Sequence, residues 1–173
     1  IEDRARPEVN LAIVLDRSGS MQGEKMRRAK DAALMAIDRL SPEDIVSVIA
    51  YNHNVEVLVP ATKVHDRRDI KRRIMSLGAS GNTALFAGVA KGAYEVRKFL
   101  SPSRVNRVLL VSDGLANEGP STPGELGDLG HSLLKGGISV TTIGLGHGYN
   151  EDLMFELARR SDGNHAFAEG ASD

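Results

Sequence analysis

The sequence has no cysteine among its 173 residues, which excludes a disulfide framework and a zinc site built from thiolates. It also has no apolar run long enough to cross a membrane. Neither sign of charge dominates, because the net charge is only −1, and this argues against a general nucleic-acid binder. The remaining composition, 41% hydrophobic and 26% charged, is typical of one globular domain over residues 1–173.

Apolar runs that stop at polar loops predict six strands. They cover 10–15, 44–51, 55–59, 106–112, 139–143 and 164–168. Apolar residues at helical spacing predict five helices between them. These are marked by Met26 to Leu40, Asp66–Met75, Leu85 to Leu100, Glu125–Lys135 and Glu151–Arg160, with Ser41–Pro42 and Ser101–Pro102 ending the first and third.

The alternation of strands and helices predicts an α/β fold with a doubly wound, mostly parallel six-stranded sheet and helices on both faces. Only three residues, 52–54, separate the second strand from the third. That length suits a hairpin but not a crossover. The third strand is therefore expected to be antiparallel and to lie at the edge of the sheet.

Polar side chains follow two of the predicted strands, where open α/β sheets bind ligands. The segment Asp16-Arg17-Ser18-Gly19-Ser20 comes directly after the first strand, and Asp113 comes directly after the central one. Thr83 lies in a glycine-containing loop, 78–83, that leads into a helix. Asp16, Ser18, Ser20, Thr83 and Asp113 can therefore meet at one edge of the sheet.

All of these donors are oxygens, and oxygen ligands suit hard cations such as Mg²⁺, Mn²⁺ or Ca²⁺. Each segment also has a plainer interpretation. Asp16 and Ser18 can cap the following helix, and Thr83 or Asn82 can do the same for the next one. Asp113-Gly114 is an ordinary turn dipeptide. The combination at one sheet edge favours the metal interpretation, with Mg²⁺ as the first choice.

The segments DRSGS at 16–20, GNT at 81–83 and VSDG at 111–114 resemble the metal-ion-dependent adhesion site (MIDAS) of von Willebrand factor A domains, which have a Rossmann-like fold. All five positions named above match that motif. The resemblance implies that Ser18, Ser20 and Thr83 bind the cation directly, and that Asp16 and Asp113 do so directly or through water. NLAIVLDRSGSM and ARRSDGNHAFAE are most similar to bacterial members, which are related to the A domains of calcium-activated chloride channels and inter-alpha-trypsin inhibitor heavy chains.

The same resemblance implies a function in adhesion or complex assembly, in the cell envelope or outside the cytoplasm. A partner protein would supply a Glu or Asp carboxylate to complete the cation's coordination. The resemblance also implies one more helix after the last strand. Because the sequence stops at Asp173, we expect a piece of a longer protein that lacks this final helix.

Two other functional classes stay open at this point. A metal-assisted hydrolase needs a general base, and no histidine or carboxylate beyond Asp16 and Asp113 is placed at the site, so an enzyme is not expected. A purely structural cation could instead tie the three loops together. The loop 144–148 (GLGHG) does not match a dinucleotide motif, although its His147 could lie at the rim of the site.

Overall fold

The computed structural model describes residues 7–146 and 149–168, which form six strands and five helices. The strands are β1 (Glu8–Asp16), β2 (Ile45–Tyr51), β3 (Val55–Lys63), β4 (Arg104–Ser112), β5 (Ser139–Leu145) and β6 (His165–Ala168). The helices are α1 (Glu24–Arg39), α2 (Arg67–Met75), α3 (Leu85–Arg97), α4 (Pro123–Lys135) and α5 (Glu151–Arg160). His147, which was expected near the rim of the site, lies outside the described residues.

The strands form one sheet in the order β3-β2-β1-β4-β5-β6. All neighbours are parallel except β2 and β3, which are antiparallel, so β3 is the edge strand that the short connection predicted. β1 and β4 lie at the centre, and every residue of β2 is buried. The predicted fold class is confirmed.

Helices cover the two faces of the sheet unequally. Leu11, Ile13 and Leu15 of β1 pack in one core with residues of α1 and α2. Ala12 and Val14 point the other way, into a core shared with α3, α4 and α5. The alternation follows from the period of two along a strand, and burial on both sides explains why β1 is a continuous apolar run.

Most predicted boundaries lie within two residues of the observed ones, and two differ by three or four residues. The third helix ends at Arg97 rather than at Leu100, because the amides of Lys98 and Phe99 bond to carbonyls three residues back and tighten the last turn. Leu100 is accordingly 43% exposed. β3 continues to Lys63, four residues past the predicted end at Val59, with register shifts opposite Val48.

Candidate metal centre

The segment that follows β1 folds around the carboxylate of Asp16. This side chain is fully buried, and its Oδ1 accepts a hydrogen bond from the amide of Ser18 at 2.9 Å. Its Oδ2 accepts a second one from the hydroxyl of Ser112, at the end of the neighbouring strand β4, at 2.6 Å. Pairing of β1 with β4 therefore brings the two loops together.

Asp113, the residue after β4, is also fully buried. Its Oδ2 accepts from the hydroxyl of Ser20 at 2.7 Å, and its Oδ1 accepts from the amide of Leu115 at 3.1 Å. The hydroxyls of Ser18 and Ser20 lie 3.3 Å apart. A continuous chain of polar contacts thus joins four of the five predicted residues.

Thr83 reaches the same edge through its backbone. The loop that precedes it is bonded to the first loop, because Gly19 N donates to Gly81 O at 2.9 Å and Ser80 N donates to Arg17 O at 2.8 Å. Gly81 has a φ of 85°, and a Cβ there would be 2.5 Å from His53 Nδ1, so this close approach requires glycine. Thr83 itself is 2% exposed.

Asn117 holds Thr83 from the other side. Its side-chain Oδ1 accepts from Thr83 N at 2.8 Å, and its backbone amide donates to Thr83 O at 3.0 Å. Within the described ranges, the hydroxyl of Thr83 has no hydrogen bond to the other four predicted residues. The structure therefore places Thr83 beside this group through backbone contacts.

The capping interpretations of these residues do not match the local geometry. The residue before α3 is Ala84, so neither Asn82 nor Thr83 caps that helix. Ser18 precedes a short 3-10 turn, Gly19–Met21, and makes no capping bond through its side chain. The Asp113-Gly114 dipeptide does have turn-like features, since Gly114 has a φ of 72° and Asp113 Oδ1 accepts from the amide two residues on. The complete burial of Asp113, however, is unusual for an ordinary turn aspartate.

Charge is concentrated at this edge of the sheet. Burial raises the pKa of Asp16 above its ordinary value, hydrogen bonds from Ser112 and Ser18 oppose that effect, and the negative charge of Asp113 adds to it. Burial, and then the charge of Asp16, raise the pKa of Tyr51 well above its usual range. The Tyr51 hydroxyl is buried and makes no hydrogen bond within the described residues.

Among the described residues, one cationic side chain contacts the group. Lys25 Nζ lies 3.1 Å from Asp113 Oδ2, and the lysine side chain is 28% exposed whereas Asp113 is fully buried. Ser20 is an exposed residue, so the group reaches the surface of the domain there, at a point we call the opening. Two buried carboxylates beside this lysine leave an excess of negative charge that a cation would offset.

The donor set consists of carboxylate and hydroxyl oxygens, which suit an oxygen-preferring divalent cation. The described residues contain no group of three His, Cys, Asp or Glu side chains arranged to hold a metal, so a cation here would need the hydroxyls as ligands. His165, on β6, is engaged elsewhere, with Thr142 Oγ1 at 2.8 Å and Tyr149 Oη at 2.9 Å.

Three residues of the site were not among the five predicted ones. Ser112, Lys25 and Asn117 contact the predicted residues, and of these only Ser112 lies within a motif segment, VSDG at 111–114. The signal for Ser112 was present, because it is the last residue of an apolar strand and directly precedes Asp113. Lys25 and Asn117 are brought in only by the tertiary fold.

The model of the von Willebrand factor type A domain matches residues 10–173. The chain belongs to this family. Members are in general metal-dependent protein-interaction modules rather than enzymes. Helices long and apolar enough to cross a membrane are not found in the described part of this domain.

Two relatives illustrate the range of the family. The chain is 33% identical to the Synechocystis protein sll0103 over 171 residues, covering 99% of this chain and 40% of that protein. It is 30% identical to human inter-alpha-trypsin inhibitor heavy chain H2 over 169 residues, covering 92% of this chain and 17% of that protein. The chain thus spans less than half the length of either relative.

Solved structures share the fold. A von Willebrand factor type A protein from Catenulispora acidiphila matches with a TM-score of 0.82 and 24% identity, over 96% of this chain and 40% of that one. Proximal thread matrix protein 1 from mussel byssus, described with a zinc-occupied MIDAS motif, matches with a TM-score of 0.69 and 18% identity, over 93% of this chain and 41% of that one.

Proposed function

We propose that this domain is a divalent-cation-dependent protein-binding module whose partner supplies a Glu or Asp carboxylate. The observation that carries the proposal is the meeting of two buried carboxylates, Asp16 and Asp113, with the hydroxyls of Ser18 and Ser20 beside an opening to solvent. Such an excess of negative charge is costly to bury unless a cation offsets it.

Ser18, Ser20, Thr83, Asp16 and Asp113 are the residues proposed to hold the cation, Mg²⁺ first and Mn²⁺ or Ca²⁺ as alternatives. A cation bound there would supply a positive centre able to accept an anionic oxygen from outside. Three of the five side chains are neutral hydroxyls, so the chain's own ligands leave part of the ion's charge available to an acidic partner.

Loops around the opening would select the partner. We assign this role to Gln22–Glu24, Gly78–Asn82, Leu115–Thr122 and the described ends of Gly146–Asn150. Asn82 and Glu118 join two of these loops, since Asn82 Nδ2 donates to Glu118 Oε2 at 2.8 Å. A charge-assisted contact to a cation is strong only where the donors around it are well positioned, and this link holds two loops in register.

The first test asks whether a cation binds at all. Mg²⁺ at one hundred times its dissociation constant should stabilise the wild-type domain by about 2.7 kcal/mol, because a ligand that binds only the folded state adds RT ln(1 + [L]/Kd). Asp113→Ala should abolish the shift, and Asp128→Ala, at an exposed acid on α4, should keep it. Equal shifts in wild type and Asp113→Ala would overturn the proposed site.

The second test concerns the partner's carboxylate. Peptides selected from a random library on the Mg²⁺-loaded domain should share an Asp or Glu, and should dissociate in EDTA. Replacing that residue by Asn or Gln should abolish their binding. Peptides that stay bound in EDTA would show that any cation here is structural.

The hydrolase alternative needs a general base in addition to the five assigned residues. It is tested by assaying the Mg²⁺-loaded domain with ester, peptide and phosphate substrates. We expect no turnover above background, and turnover that is lost in Ser18→Ala would replace the binding function with catalysis.

A further inference from the structure

Lys25 occupies a position where its positive charge interacts unfavourably with the dipole of its own helix. It is the second residue of α1, and the first turn of a helix carries a partial positive charge that disfavours a lysine. Its ammonium nevertheless turns towards the sheet edge and lies 3.1 Å from Asp113 Oδ2. The ion pair with a fully buried carboxylate offsets the unfavourable placement.

Neighbouring backbone keeps the lysine on this path. A Cβ at Gly146 would lie 2.5 Å from Lys25 Cε and 3.2 Å from Nζ, so the side chain runs closely past the loop that follows β5. Gly146 has a φ of 83°, which also favours glycine. Lys25 is therefore held between this loop and Asp113.

The oxygen that Lys25 contacts is also bonded to a proposed cation ligand. Asp113 Oδ2 accepts from Lys25 Nζ and from the hydroxyl of Ser20, which lies 2.7 Å away. A divalent cation bound by Ser20 and Asp113 would therefore lie next to the ammonium. The cation and the ammonium would then share one carboxylate oxygen, and two positive charges so close together repel strongly where water is partly excluded.

We propose that Lys25 is a built-in competitor of the divalent cation: its ammonium neutralises Asp113 in the ion-free domain, and cation binding displaces it. This inference rests on the proposed function, since it concerns the same site. Lys25 holds the ion-free site together and lowers its affinity for the cation.

The test measures Mg²⁺ affinity by calorimetry in charge-matched variants. Lys25→Met should bind Mg²⁺ at least about tenfold more tightly than the wild type, because one like charge is removed a few ångströms from the ion. Lys25→Arg should stay close to the wild type. Lys30→Met is the matched control, since Lys30 lies on the same helix but donates to the carbonyl of Met75 at 3.0 Å.

Unchanged or weaker Mg²⁺ binding in folded Lys25→Met, with the wild type binding normally, would overturn the competition and leave the proposed function intact. If neither protein binds Mg²⁺, both proposals fail. Circular dichroism reports whether the variant is folded.

A second measurement uses the wild type alone, in case Lys25→Met does not fold. Acetylation of individual lysines, followed by mass spectrometry, should show Lys25 reacting faster when Mg²⁺ is added, because the displaced amine leaves its ion pair. Lys30 should react at an unchanged rate. An unchanged or slower reaction at Lys25 at saturating Mg²⁺ would overturn the proposal.

Discussion

Buried carboxylates lie at both ends of the parallel strands, and their surroundings differ. At the start of β2, the side chain of Asp44 is fully buried and accepts from the amides of Val9 and Ser41, each at 2.8 Å. At the opposite edge, Asp16 and Asp113 are buried together and accept from hydroxyls and from Lys25 as well as from amides.

Burial of an acid is therefore not enough to propose a cation site, and the groups that surround each carboxylate have to be compared. Backbone amides are fixed donors, and Asp44 uses them to tie the start of β1 to the loop after α1. Hydroxyls can turn to present a lone pair to a cation instead of donating a proton. Two adjacent acids among hydroxyls therefore form an adaptable site, whereas Asp44 acts as a structural connection.

The largest effect is expected where the structural connection is broken. Asp44→Ala should lower the free energy of unfolding by about 3 kcal/mol, because two partly buried amides lose a charged acceptor. Mg²⁺ affinity, measured on the variant that remains folded, should match the wild type. If Asp44→Ala kept its free energy of unfolding but no longer bound Mg²⁺, the cation would have to be assigned to the edge with Asp44.

Removing one neutral ligand should have a smaller effect, which should be confined to the affinity for the cation. Thr83→Val removes the hydroxyl at nearly constant shape and should weaken Mg²⁺ binding about tenfold, or about 1.4 kcal/mol. Its effect on folding should stay below about 1 kcal/mol, since the backbone contacts of Thr83 remain. Thr83→Ser, which keeps the hydroxyl, is the control, and equal affinities for both variants would exclude Thr83 as a ligand.

The stability of the ion-free domain should depend on pH through Asp16. Its folded-state pKa is raised, mainly by burial, so the stability that this group contributes is present when it is protonated and is lost as the pH rises through that pKa. Ion-free Asp16→Asn should therefore be more stable than the wild type at neutral pH, and the difference should vanish in acid. Denaturant titrations in EDTA across pH provide the measurement, and a variant less stable at neutral pH would contradict it.

Most of the fold was predictable from the sequence. Apolar runs identify strands that are buried on both faces, and helical spacing identifies helices that are buried on one face. The end of α3 was not predictable, since Leu100 continues the spacing of Val96 although the backbone has already tightened at Lys98. Nor was the far end of β3, where Pro60 and polar residues interrupt the apolar pattern. At the site, the motif indicated five residues, whereas Lys25 contacts Asp113 across 88 positions of sequence.

The final helix implied by the sequence stays a prediction, and one surface bears on it. Leu109 of β4 and Ile143 of β5 are only half-buried, beside Met35 of α1, which is 53% exposed. On the opposite face, Leu110 and Val140 are fully buried. The two faces of the sheet therefore differ in how completely their apolar side chains are covered, just as its two edges differ in the groups that surround their buried acids.

The smallest effect is expected from covering that surface. A chain extended past Asp173 by residues that cover this surface should be more stable by about 1 kcal/mol, because Leu109 and Ile143 are already half-buried. Met35→Gln should then destabilise the longer chain more than residues 1–173. A longer chain that melts no higher would show that the added residues leave this face uncovered.

The central claim is that the edge with paired acids, and not the edge with Asp44, holds a divalent cation. Anomalous diffraction from a crystal of the domain grown with Mn²⁺ tests it most directly. We predict a single strong peak between Asp113 and the hydroxyls of Ser18 and Ser20, with an outer ligand that this domain does not supply. A crystal saturated with Mn²⁺ that shows no peak there, or a peak only at histidines, would contradict the claim.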